Sequence, residues 1–260
     1  MNDNYISIMM ICTGLWRGSI IKNRQSKIEN AVYGSFAFWE RGYGLLARSA
    51  GCRPEWSSAL QRACRNLGEP PRGGLERGWF ARPLDDGVWM IVGMHPQGSD
   101  DHGRPGAWAF HALFVSRLAY LLAGADPAPL AALTRGDWTL ADRDAELPAV
   151  EFAAPGLLGR LATRRVDEVV DPLVDPIVRA LARGRPVVVQ APRPIDDLAR
   201  SVWRRLPWRA RMKRSVATWA FDNQGAFDLI GLPRIKGATY DPDALIVEAN
   251  PGLSSLSPAD

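Results

Sequence analysis

The clearest pattern of apolar and polar positions lies in residues 79–116. Three apolar runs, rich in aromatic and β-branched residues, are separated by a turn of two aspartates and a glycine and by a longer polar loop. Such runs between turn residues are typical of strands, and short connections favour antiparallel pairing. The pattern predicts a three-stranded antiparallel meander over residues 79–84, 88–94 and 107–115.

Helical spacing occurs in two segments. In residues 53–67, apolar side chains recur every three or four positions, Pro54 suits the first turn and Gly68 suits the position after the last. Residues 195–206 begin with aspartates and end with arginines, as the helix dipole favours. Both segments are predicted to be amphipathic helices packed on a sheet.

The second half of the chain mixes strand and helix patterns. A run of valines in residues 186–191 predicts a short buried strand. Residues 215–221 and 226–232 predict the paired strands of a β hairpin around a polar turn. Residues 134–148 show no periodicity and are predicted to be a linker between lobes.

These elements predict an α+β fold: an antiparallel β meander with packed helices, and a second, helix-rich lobe carrying a β hairpin. Residues 1–27 differ in composition, with little of the Ala, Pro and Arg that dominate later. The predicted organisation is an atypical N-terminal extension (1–27), an N-terminal α+β lobe (28–140), a C-terminal lobe (141–240) and a flexible tail (241–260).

Composition narrows the class of protein. Of 260 residues, 47% are hydrophobic and 23% are charged, which is ordinary for a globular protein. The three cysteines form no CxxC pair, so neither a disulfide framework nor a zinc ribbon is indicated, and we expect a cytoplasmic location. No apolar run reaches the roughly 20 residues of a membrane span, and no phosphate-binding glycine motif indicates a nucleotide, so we expect neither a membrane partner nor a cofactor.

All three histidines lie in or beside the polar loop of the meander. Neutral imidazoles and carboxylates can bind zinc or iron, which makes His95, His102 and Asp100 candidate metal ligands, although their spacing matches no compact ligand pattern. A metal-dependent hydrolase that uses this loop therefore stays an alternative.

His111 lies inside the third predicted strand. Strand alternation places it on one face with Ala109 and Leu113, which favours a buried structural histidine. Ser116 and Asp101 would complete a catalytic triad with it, but the GxSxG nucleophile motif is missing. The sequence therefore favours a non-enzymatic protein.

Basic residues crowd into residues 200–214, together with Trp203 and Trp208. Arginine interleaved with tryptophan can anchor an acidic protein partner or hold phosphates and stack on bases. A solvated helix end, with both tryptophans in the core, is the third interpretation. The basic residues are Arg200, Arg204, Arg205, Arg209, Arg211, Lys213 and Arg214.

Several short segments resemble the N-terminal region of the bacterial GTPase-associated protein one family. The resemblance covers about residues 31–235 and depends on turn glycines and core aromatics. It is carried by Tyr33-Gly34, the segment GYGLLARSAG (42–51), Asp101-x-x-Arg104-x-Gly106 before Phe110-His111-Ala112-Leu113, and SVATWAF (215–221) after Leu206-Pro207. Tyr43 stands where the family usually has a histidine, and Pro105 interrupts the glycine-rich run.

The resemblance implies a non-enzymatic adaptor of a bacterial GTPase-linked conflict or signalling system, acting between a small GTPase and effector modules. Together with the basic segment, it predicts a protein-interaction surface, with nucleic-acid binding as an alternative. The predicted interaction residues are Asp101, Arg104, Arg204, Arg205, Arg209, Arg211 and Arg214.

Overall fold

The structure is a computed structural model that describes residues 26–35, 43–68, 76–99, 103, 105–152 and 171–249. Within these ranges, one mixed sheet of eleven strands is packed against six α-helices, which confirms the predicted α+β class. The predicted N-terminal extension lies outside the described residues up to residue 25. The division into two lobes stays a prediction, and strands from both predicted lobes share the one sheet.

The strands are β1 (Ser26–Gly34), β2 (Gly44–Ser49), β3 (Gly78–Pro83), β4 (Val88–Ser99), β5 (Pro105–Ser116), β6 (Glu146–Leu147), β7 (Val150–Phe152), β8 (Val187–Gln190), β9 (Val216–Ala217), β10 (Leu229–Leu232) and β11 (Leu245–Glu248). The helices are α1 (Pro54–Arg65), α2 (Arg117–Leu122), α3 (Ala128–Ala131), α4 (Val174–Ala182), α5 (Asp196–Arg205) and α6 (Trp208–Arg211). The strand order is β11-β8-β10-β9-β3-β4-β5-β1-β2-β6, and β7 pairs with β1.

The central meander forms as the apolar pattern predicts. β3 pairs antiparallel with β4, and β4 pairs antiparallel with β5 along nearly their whole lengths. Ile91 lies opposite Leu113, and Met90 lies opposite Phe114. Alternation therefore sends Ile91 and Leu113 to one face of the sheet and Met90 and Phe114 to the other.

The predicted β hairpin of the second half is wrong, because β9 and β10 run parallel. Leu229 pairs with Val216 and Ile230 with Ala217. The polar turn does form, with the Asn223 side chain bonded to the backbone of Phe227. However, the chain first crosses to α1, where Phe221 and Asp222 donate backbone hydrogen bonds to Leu67. It therefore enters β10 from the same end as β9, and a parallel pair results.

The antiparallel and parallel parts of the sheet meet between β3 and β9, which pair antiparallel. Thr218 lies just after β9 and is fully buried. Its hydroxyl accepts a hydrogen bond from the backbone N–H of Trp79 at 3.0 Å and donates one to the carbonyl oxygen of Trp79 at 3.0 Å. The Thr218 side chain thus adds two hydrogen bonds to the short β3–β9 pair. Buried backbone groups need such partners, so the Thr218 hydroxyl substitutes for ladder hydrogen bonds.

The two faces of the sheet carry different layers. α1 packs on one face, here the α1 face, through Trp56, Leu60 and Cys64. The helices α2 to α6 pack on the opposite face, here the five-helix face, where Tyr120 and Trp203 are fully buried. The sheet therefore separates two hydrophobic cores.

Two segments differ from the sequence prediction. Residues 245–248, within the predicted flexible tail, form the edge strand β11, which pairs parallel with β8. The predicted linker 134–148 is packed against the sheet, with Trp138 buried. No helix in the described part of the chain is long and apolar enough to cross a bilayer.

We expect Thr218→Val to lower the free energy of unfolding by about 1–3 kcal/mol, because it leaves the buried Trp79 N–H without its partner. Thr218→Ser keeps the hydroxyl and is the matched control, with a loss of about 1 kcal/mol for the missing methyl group. Urea unfolding measures both. A valine variant more stable than the serine variant would contradict this role of the hydroxyl.

Candidate functional site

His95 lies in β4 and is bonded to the segment that follows α3. Its Nε2 lies 3.1 Å from the Thr134 hydroxyl. That hydroxyl donates its proton to the Ala131 carbonyl oxygen at 2.6 Å, so it accepts from His95. Nε2 of His95 therefore carries a proton.

His111, in β5, is held from both sides of its ring. The backbone N–H of Arg135 donates to Nδ1 at 2.8 Å, which places the proton on Nε2. Nε2 in turn donates to the Asn30 side-chain oxygen at 3.4 Å, and Asn30 donates to the Pro148 carbonyl oxygen. Trp138 packs edge-on against the ring. The alternation argument for a buried, hydrogen-bonded His111 is confirmed.

Glycine allows this network to pack closely. A Cβ on Gly93 would collide with the Thr134 side chain and with His95. A Cβ on Gly136 would lie 2.5 Å from His95 Nδ1. A glycine inside a strand often marks such a close approach, and here it admits the 134–139 segment to the sheet surface.

Burial keeps both imidazoles uncharged. Burial, together with the nearby Arg77, lowers the pKa of His95 from 6.5 to about 4. Burial likewise lowers the pKa of His111 to about 3, assisted by His95 and Arg135. Neutral imidazoles that are hydrogen-bonded within the fold stabilise a structure and are poorly placed to take up a proton.

Only some residues of the predicted histidine loop lie among the described residues. His102, Asp100, Asp101 and Arg104 lie outside the described residues. Among the residues that the structure does describe, no group of three or more potential ligands surrounds a common point. Ser116 accepts from the backbone N–H of Ala119 as the cap of α2, and both ring nitrogens of His111 are hydrogen-bonded to other residues.

The arginine segment divides into residues that hold the fold and residues that face solvent. Arg211 donates to the Gly124 carbonyl oxygen at 2.8 Å and so ties α6 to the end of α2. Arg214 forms an ion pair of 2.9 Å with Asp228, which also accepts from Ser215. These two arginines serve the structure.

The remaining basic side chains of the segment are exposed, and so is one of its two tryptophans. Trp203 is fully buried, whereas Trp208, at the start of α6, is 47% exposed. The guanidinium carbon of Arg209 lies 5.6 Å from the centroid of the Trp208 ring. Pro207 is the N-cap residue of α6. Arg205, at the end of α5, forms an exposed ion pair with Asp175. We call the surface of exposed residues Arg200, Arg204, Arg205, Trp208, Arg209 and Lys213 the Arg–Trp surface.

A cavity of about 680 Å³ lies on the α1 face, and sequence reasoning missed it. Aromatic rings form one wall: Tyr33 is stacked on Tyr43 at 5.8 Å, and Trp108 is stacked on Phe110 at 5.8 Å. Alternation along β5 places Trp108 and Phe110 on one face. Nothing in the pattern indicates that α1 covers that face only in part.

A second cleft, of about 650 Å³, also borders α1. Charged groups of both signs line it, including Arg62, Arg82 and Asp86. Trp56 donates to Asp86 at 2.8 Å, and Arg82 donates to the Gly225 carbonyl oxygen at 3.1 Å. Several of its polar groups are thus already paired within the protein.

Comparison of the chain with protein-family models, with curated proteins and with solved structures finds no match. The resemblance to the GTPase-associated family therefore stays a prediction. A functional proposal for the described residues therefore depends on the arrangement of their side chains.

The low pKa values of the histidines predict a pH-dependent stability. Both values lie below 6.5 in the folded protein, so the unfolded chain binds more protons at mildly acidic pH. Stability is therefore fully present above about pH 6.5 and is lost as the pH falls towards about 3–4.

We expect His111→Asn to reduce the difference in unfolding free energy between about pH 7 and about pH 5 by roughly 2 kcal/mol. The variant also loses stability at neutral pH, because the bond to Asn30 is broken. Leu113→Val, at a buried position two residues along the same strand, is the control: it lowers stability equally at both pH values. An unchanged pH dependence in His111→Asn would contradict the assignment.

Proposed function

We propose that this chain is a non-enzymatic protein-interaction module that binds an acidic protein segment on its Arg–Trp surface. The observation that carries the proposal is Trp208, a large aromatic side chain left 47% exposed on a short helix, with Arg209 over its ring. Tryptophan and arginine are the residues most often found at the energetic centres of protein interfaces.

The shape of the segment supports such a role. The side of α6 that faces the protein is fixed by two kinds of contact. Ala210 and Met212 pack on the core of the five-helix face, and Arg211 donates a hydrogen bond to the Gly124 carbonyl oxygen. Trp208 is therefore presented on a rigid support. A preorganised aromatic side chain loses little conformational entropy on binding, which favours affinity.

The charges of the surface favour a protein over a nucleic acid. Carboxylates are interspersed with the arginines: Asp197 lies 3.4 Å from Arg200, and Asp175 lies 2.8 Å from Arg205. These carboxylates would repel a phosphate backbone, which carries a charge at every nucleotide, more than a protein segment in which acidic residues are spaced by apolar ones. A protein segment that combines acidic with apolar residues can meet both the arginines and Trp208. Each exposed pair contributes about 0–1 kcal/mol, so several must act together.

The histidine network fits a non-enzymatic role, because both described imidazoles are neutral and occupied by structural hydrogen bonds. We further propose that the partner is a small GTPase or an effector module, and that the protein acts in the cytoplasm as an adaptor of a bacterial conflict or signalling system. This part of the proposal derives from the family resemblance.

We expect a fluorescein-labelled peptide rich in glutamate and leucine to bind the protein, with affinity falling as salt rises. Trp208→Ser should weaken binding about tenfold or more, and Arg209→Gln should weaken it less. Fluorescence anisotropy measures both. Ile246→Ser, at an exposed apolar site on the sheet edge, and Arg62→Gln, on the α1 face, are the matched controls and should bind normally.

Two outcomes would contradict the proposal. One is an affinity for the peptide that Trp208→Ser and Arg209→Gln leave unchanged. The other is tighter binding of a single-stranded oligonucleotide of the same net charge, lost in the same variants. The latter result would favour the nucleic-acid alternative, in which stacking on Trp208 and contacts from arginine hold the strand.

A further inference from the structure

The aromatic cavity contains a buried polar group that the fold does not use. Tyr33 is 1% exposed, and its ring forms part of the cavity wall. Its hydroxyl has no hydrogen-bond partner among the residues that the structure describes. An unpaired buried hydroxyl destabilises a protein, and phenylalanine would give the same ring packing without that cost.

The wall around Tyr33 is built from aromatic rings. Tyr33 lies directly opposite Phe110 in the β1–β5 register, with ring centroids 6.3 Å apart. Trp108 and Tyr43 extend the wall on either side. Stacked aromatic rings offer their faces and edges to another planar ring more favourably than to an aliphatic group.

The remaining lining contains one carboxylate, Asp222, and one arginine, Arg65, among neutral residues. Burial raises the pKa of the Cys64 thiol well above its usual value, so it stays uncharged. Asp222 lines the opposite side, but its carboxylate already accepts hydrogen bonds from Asn223, Gln224 and Thr239.

The positive charge at the edge comes from Arg65, in the last turn of α1. It lines the cavity and is exposed to solvent. No ion pair holds it among the described residues, in contrast to Arg205 and Arg214 of the five-helix face. Arg65 can therefore meet an anionic group of a bound molecule without breaking a contact of the fold.

We propose that the cavity binds a planar aromatic small molecule with an anionic substituent. Tyr33 supplies the hydrogen bond to a polar atom of the ring system, the aromatic wall stacks on the ring, and Arg65 neutralises the anionic group. The volume lies within the range of about 300–1,000 Å³ that is typical of small-molecule sites. The site is on the opposite face of the sheet from the Arg–Trp surface and does not depend on the function proposed for that surface.

Three probes separate the contributions: quinoline-2-carboxylate, quinoline without the carboxylate, and cyclohexanecarboxylate without the aromatic ring. Isothermal titration of the full chain should show quinoline-2-carboxylate binding at least about tenfold more tightly than cyclohexanecarboxylate. Tyr33→Phe should weaken binding of both quinolines about tenfold. Arg65→Gln should weaken quinoline-2-carboxylate alone. Arg62→Gln, one turn away and facing the other cleft, is the control and should leave all three affinities unchanged.

Thermal unfolding adds a second readout that a purely structural tyrosine would not give. Without ligand, Tyr33→Phe should unfold at the same temperature as the wild type or higher, while the ligand-induced rise in unfolding temperature becomes smaller. Absence of quinoline-2-carboxylate binding would overturn the proposal. So would equal affinities of the wild type and Tyr33→Phe, or a Tyr33→Phe variant less stable than the wild type. Trp208→Ser should bind the probes normally, so the two proposals fail separately.

Discussion

The junction between β3 and β9 is the constraint on which the rest of the structure depends. Only two residue pairs form this ladder, and the Thr218 hydroxyl reinforces it by bonding both backbone groups of Trp79. Through this junction the antiparallel meander and the parallel strands become one sheet. Both hydrophobic cores extend across it, so the positions of α1 and of α5 are defined relative to the same strands.

Local patterns were sufficient to predict the elements whose neighbours are close in the chain. The meander, α1, α5 and the strand at 187–190 follow from alternation, helical spacing and capping residues, because short connections leave few choices of pairing. The direction of β10 could not be found in this way. It depends on hydrogen bonds between Phe221–Asp222 and Leu67, which are far apart in sequence. Residues 134–148 have no periodicity because individual polar contacts, such as Arg135 to His111, fix them.

In the candidate sites, too, some features follow from the local sequence and others from contacts between distant segments. Exposed arginine next to tryptophan can be read from residues 200–214, but which arginines support the fold depends on distant partners such as Gly124 and Asp228. The aromatic cavity could not be predicted, since its lining comes from β1, β4, β5, the end of α1 and the loop after β9, which are distant in sequence. An apolar pattern indicates which residues are buried and does not indicate how completely the layers close over them.

The late pairing of β3 has a consequence for how the chain is made. Phe80 of β3 finds its partner Ala217 only after the long segment between them has been synthesised. Until then, β3 is an edge strand beside an already formed meander, with apolar residues and unpaired backbone groups. Pairings between distant segments also form slowly. The nascent polypeptide is therefore most prone to aggregate during that interval, when a neighbouring copy competes with β9 for the same edge.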